Sequence, residues 1–136
     1  MAVFEWKDDY SVNIAAMDEQ HKKLVALLND LDLAVESGKD EEALTTTFDG
    51  LMDYVLTHFK SEEELMKKYD YPHIEDHRQA HIGLTLKVVE LKKNHDAYHF
   101  QDSARQVIMF LTTWLLGHIM GVDKRYGVFL NKNSIF

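Results

Sequence analysis

Apolar side chains recur at alternating steps of three and four residues along most of this 136-residue chain. That spacing lines them up on one face of a helix that packs against others. One stripe runs Met17, His21, Leu24, Leu28, Leu31, Val35, and a second Leu44, Phe48, Leu51, Val55, His58, Glu62, Leu65, Tyr69. A third runs Ile74, His77, His81, Leu84, Val88, Leu91, and a fourth Ala104, Val107, Leu111, Trp114, His118. The breaks ESGKD, YDYP and NHDAYHFQ separate them, as short turns separate the helices of a bundle. The pattern predicts helices near 18–37, 40–69, 72–94 and 102–127, after an N-terminal arm over 1–17. Asp18 and Asp40 are placed to cap the first two helices, Gly38 to stop the first, and Pro72 to open the third. The expected fold is all-α: an antiparallel up-down-up-down four-helix bundle, with residues 1–136 as one domain.

Every stripe, however, carries a histidine where an apolar residue is due, and the second carries Glu62 as well. Unpaired polar groups in a core are costly, and an ionised carboxylate more so. In an up-down-up-down bundle the start of the first helix, the end of the second, the start of the third and the end of the fourth share one end. His21, His58 with Glu62, His77 with His81, and His118 therefore converge on one layer. The pairs His58/Glu62 and His77/His81 are four residues apart, which places each pair on one helical face, about 5–6 Å apart. His118 and Asp123 are five apart, and a regular helix would turn Asp123 away. Its use beside His118 predicts a π-type widening, made easier by Gly117 and Gly121.

Five histidines, one glutamate and one aspartate exceed the needs of a single transition metal, whereas two metal ions use them all. With Glu62, Asp123 and a solvent-derived oxygen as bridges, His77, His81 and His118 complete six-coordination at one metal. His21 and His58 leave the other five-coordinate, with one open position. Leu24, Phe59, Leu115 and Ile119 are the candidate walls of that position, Leu24 foremost because it shares the face of His21. Plainer roles suit the remaining residues. His73, His95 and His99 read as structural or solvated, with His73/His77 as a rival pair. Glu63, Glu64, Lys67 and Lys68 read as a solvated face, Trp114 as core, and Trp6 as an anchor for the arm.

His21 in DEQHKKL, His58 and Glu62 in HFKSEE, His77 and His81 in HRQAH, and His118 and Asp123 in HIMGVD resemble, in order and spacing, the ligand set of the hemerythrin family. The likeness is to its single-domain prokaryotic members and extends from the arm with Trp6 through the fourth helix. It implies two Fe ions in a non-haem di-iron centre that binds O2 reversibly without catalytic turnover. It also implies a role in oxygen transport, storage or delivery to an oxygen-consuming enzyme. Imidazole and carboxylate ligands alone would equally admit Mn, Zn or Co, so iron rests on the resemblance.

Composition narrows the alternatives. A net charge of -8 and a pI near 5.4 offer no basic surface to nucleic acid. The absence of cysteine excludes disulfides, thiolate metal sites and cysteine nucleophiles. Acidic residues near the N-terminus argue against an export signal, so a cytoplasmic address is expected, and the chain is expected to be a monomer. The apolar run from Val107 to Val122 contains His118 and falls short of the roughly 20 residues that cross a bilayer. No phosphate loop, GxSxG elbow or HExxH occurs. The ExxH motif of di-iron oxidase bundles is also missing, and the length leaves no room for a sensor's output domain, so the chain is expected not to be an enzyme.

Overall fold

The computed structural model describes residues 4–97 and 100–136. The helices are α1 (Ala15–Glu36), α2 (Glu41–Lys68), α3 (Ile74–Ala97), α4 (Phe100–His118) and α5 (Lys124–Lys132), and a π-helical turn, Ile119–Asp123, joins α4 to α5 in one rod. α1 packs on α2 and α4, and α3 on the same two helices, which closes the antiparallel four-helix bundle expected from the stripes. Leu24, Leu28 and Leu31 of α1 meet Phe48, Leu51 and Val55 of α2, Leu84, Val88 and Leu91 of α3, and Val107 and Leu111 of α4 in one buried cluster.

Local chemistry sets the helix ends. The Asp40 carboxylate accepts the Ala43 N–H and caps α2. Gly38 adopts φ +65, and the N–H groups of Gly38 and Lys39 reach back to the Val35 and Ala34 carbonyls. That left-handed stop suits glycine because it has no Cβ to clash. Pro72 lies in the turn ahead of α3, which begins two residues later than predicted.

Two boundaries differ more. α1 starts at Ala15, so the arm ends at Ile14 and Asp18 lies inside the first turn rather than at the cap. Its carboxylate accepts the Val12 N–H at 2.8 Å and the Ser11 hydroxyl, and so fastens the arm instead of capping the helix. The break between the third and fourth helices is shorter than predicted. His95 falls within α3 and is fully buried, stacked on Phe48 at 4.3 Å with Nδ1 2.8 Å from the Ser103 hydroxyl. Burial lowers its pKa and favours the neutral ring, in keeping with a structural role. His99 lies outside the described residues.

The rod containing α4 and α5 is longer than the apolar run suggested. By length and composition Gln101–Lys132 could cross a membrane. Its buried residues Val107, Leu111, Leu115, Ile119, Tyr126 and Leu130 instead belong to the bundle core, which explains the apolar composition.

The arm crosses this rod at α5. Phe4 is buried, and its N–H and carbonyl both bond to the Asn29 side chain. Trp6 meets Tyr10 edge-on at 5.8 Å beneath Lys22, outside the core. Further along, Asn131 of α5 donates to the Asn13 carbonyl and accepts from the Asn13 amide. The Val12 carbonyl then passes so close to Gly127 that any Cβ there would overlap it. Gly127→Ala is expected to lift the arm from α5 and destabilise the fold by about 1–3 kcal/mol, read as an earlier urea midpoint. An unchanged midpoint would show that the arm yields freely at this crossing.

Candidate metal centre

At one end of the bundle α1 presents His21, α2 His58 and Glu62, α3 His77 and His81, α4 His118, and the π turn Asp123, all buried. Each histidine turns Nε2 inward. The Nε2 atoms of His21 and His58 are 3.1 Å apart, a hydrogen-bond distance that neutral rings can use only if they adopt opposite tautomers. Asp123 Oδ1 lies 2.9 Å from His118 Nε2 and 3.2 Å from His77 Nε2, while Oδ2 lies 3.3 Å from His21 Nε2. Glu62 Oε1 is 3.2 Å from His58 Nε2 and 3.3 Å from His81 Nε2, and its Oε2 faces His21 at 3.9 Å. The donors form two overlapping groups, Glu62 with His77, His81 and His118, and Glu62 with His21, His58 and Asp123. Glu62 belongs to both, and the two oxygens of Asp123 face opposite histidine sets, the arrangement a bridging carboxylate needs.

The π turn makes this possible. His118 ends α4, and the wider Ile119–Asp123 turn brings a carboxylate five residues on back to the same face, as the spacing predicted.

A metal pair fits this donor set on three grounds. Both oxygens of Glu62 and of Asp123, and Nε2 of His77, His81 and His118, are buried without a hydrogen-bond partner among the described residues. Leaving so many polar atoms unsatisfied in a core would be strongly destabilising. The separations near 3 Å are also the edges expected of a coordination polyhedron with bonds of about 2.1 Å at right angles. Third, the local field demands cations. Burial opposes ionisation of Glu62, yet the imidazoles of His58, His77 and His81 hold its carboxyl well below the usual range. Asp123 is lowered in the same way by His118 and His21, against burial and the nearby Glu62. Burial alone would lower the pKa of His77, but Asp123 and Glu62 raise it to about 9. Bound cations would supply the positive charge that these rings otherwise take up as protons.

Side chains outside the donor set depart from expectation. Glu63, expected on a solvated face, is only partly exposed and bonds His81 Nδ1 at 3.1 Å. Gln20 Oε1 accepts from His58 Nδ1 at 2.7 Å. Trp114, expected as plain core, stacks on His118 at 4.4 Å. Tyr126 is fully buried edge-on to His77, and burial together with Glu62 and Asp123 suppresses its acidity well beyond that of an ordinary phenol. Gln20 directly precedes His21 and Trp114 stands four residues before His118, whereas no spacing to a histidine marked Glu63 or Tyr126 in the sequence. His73 points outward toward Asp76, so the rival His73/His77 pair does not form. Leu24, Leu115 and Ile119 are buried in the core cluster. Phe59 is buried too, and it stacks on His81 at 4.2 Å while the His58 ring lies 6.2 Å away. One residue beyond His58, a helix has turned its side chain toward α3.

A four-helix bundle with a buried histidine and carboxylate cluster at one end defines a non-haem metal-binding protein. A family model described as "Hemerythrin HHE cation binding domain" matches residues 12–130. Bacteriohemerythrin of Stenotrophomonas maltophilia is 32% identical over 93% of this chain and 80% of its own. Bacteriohemerythrin of Methylococcus capsulatus is 34% identical over 93% and 96% of the two chains. A crystal structure of wild-type hemerythrin matches with a TM-score of 0.82 at 33% identity, over 93% of this chain and 96% of that one. The chain belongs to the hemerythrin family.

Glu62→Ala and Asp123→Ala are each expected to cut metal content below that of the parent, measured per folded chain by elemental analysis. His95→Ala should lower thermal stability, since it empties a buried site beside Phe48, and leave metal content unchanged. Equal metal loss in all three would contradict the site.

Proposed function

We propose that this chain binds O2 reversibly at a pair of iron ions held by His21, His58, Glu62, His77, His81, His118 and Asp123, and so carries, stores or delivers oxygen without turning it over. The observation that carries this reading is the division of one buried donor cluster into a three-histidine and a two-histidine group that share Glu62. Family membership supports iron as the metal and O2 as the ligand. When bound, the reduced iron pair supplies the electrons with which O2 is held.

The side chains do the rest. His77, His81 and His118 would hold one metal together with Glu62, and His21 and His58 would hold the other with fewer protein ligands. Glu62 and Asp123, which lie between the two histidine sets, would be shared by both metals and balance their charge. Leu24, Leu115 and Ile119, all buried in the core, would line the open position with hydrocarbon and limit water, which would favour loss of reduced oxygen and leave the metals oxidised. Tyr126, with its acidity suppressed, keeps its proton beside Glu62 and Asp123.

Elemental analysis of protein expressed in iron-rich medium should find two irons per chain. The optical spectrum of the reduced protein should change on exposure to O2 and return under argon. A single iron, a preference for zinc when iron is abundant, or one-way oxidation on each exposure would refute carriage.

Leu24→Asn should retain both irons and autoxidise several-fold faster, followed as decay of the oxygenated spectrum. If it autoxidises at the parent rate with metal intact, Leu24 does not guard the open position and is ordinary core.

A further inference from the structure

The histidines of the cluster are not braced alike on their outer nitrogens. His21 Nδ1 and His77 Nδ1 meet no hydrogen-bond partner among the described residues. His58 Nδ1 meets a neutral amide, Gln20. His81 Nδ1 meets the carboxylate of Glu63, whose other oxygen faces Arg78 Nε at 3.5 Å, and Arg78 in turn pairs with Glu75 at 2.6 Å. The chain His81, Glu63, Arg78, Glu75 runs from the buried cluster to the surface, with Glu63 and Arg78 about one-third exposed. At the same time Phe59 lies against the His81 ring, nearly parallel at 13°. The stack fixes the plane of the ring but leaves it free to rotate within that plane, and only a directional contact at the ring edge stops that rotation.

We propose that Glu63 is a positioning residue for the metal centre: by accepting the Nδ1 proton of His81 it fixes that ring's tautomer and in-plane orientation, so that the Nε2 lone pair points at the metal position His81 shares with Glu62, His77 and His118. A carboxylate on the outer nitrogen also makes the imidazole a stronger donor than an amide does. The three-histidine side therefore carries an anionic brace and the two-histidine side a neutral one. Arg78 holds Glu63 in place and offsets its charge. This inference rests on the metal-binding reading above.

Zinc(II) serves as the probe, since it requires neither iron nor O2. Parent protein should take up two zinc ions per chain. In chelator competition, Glu63→Ala should bind the pair about 10–100-fold more weakly. Glu63→Gln, whose amide oxygen can still accept the proton, should recover most of that loss, and Glu64→Ala, on the exposed neighbour, should match the parent. In long-range proton–nitrogen spectra of the zinc form, His81 should carry its proton on Nδ1, far downfield in the parent, shifted upfield in Glu63→Gln and lost to exchange in Glu63→Ala.

Failure of the parent to bind zinc would overturn the metal-binding reading and this inference with it. A parent that loads normally, with Glu63→Ala equal to it in affinity and His81 resonance, would overturn the role of Glu63 alone, whatever the change in thermal stability. Should Glu63→Ala not fold, Glu63→Gln decides: an unmoved His81 Nδ1 proton rules the contact out.

Discussion

Two ionised carboxylates, Glu62 and Asp123, lie in the core of this bundle with no solvent contact. Much of the surrounding structure can be understood as a response to that burden. A carboxylate removed from water must be neutralised or matched by positive charge. The protein surrounds both with imidazoles that bring their Nε2 atoms close. Neutral imidazoles do not balance the charge, and Asp123 and Glu62 raise the His77 pKa although burial alone would lower it, the direction expected where negative charge calls for cations. Metal ions satisfy the same field while leaving every ring neutral, which is the form that coordinates.

The fold positions these groups with rigid parts. Four helices deliver donors at one level, so each ligand's location is set by backbone on which core residues pack on both sides. The exception is Asp123, which sits on a widened turn between α4 and α5. That turn is backed by the arm, which crosses α5 at Gly127 and is tied to it through Asn13 and Asn131. The N-terminal segment thus supports the one ligand that regular helix geometry would not place.

Around the donors lies a layer that restrains their orientation. Phe59 stacks on His81 and Trp114 on His118, fixing ring planes, while Gln20 and Glu63 hold the outer nitrogens of His58 and His81. The aromatic stacks lie on the three-histidine side. Ring planes there are held from the hydrocarbon side.

The sequence by itself determined the number and order of the helices, the level at which the histidines meet, and the widened turn at Asp123. All of these follow from helical periodicity, a local property in which residue spacing sets angular position and rise. The helix start at Ala15 was missed because Asp18, a good cap by type, found donors in the arm instead. Only the tertiary structure decided what each outer residue touches. Glu63 and His81 are 18 positions apart, and Gln20 and His58 are 38 apart. Contacts across helices depend on relative rotation and axial offset, which the packing of all four apolar stripes sets together. For that reason Glu63 resembled its solvated neighbour Glu64 in the sequence, the stack of Phe59 on His81 was not foreseen, and a partly exposed glutamate lies against a histidine of the core.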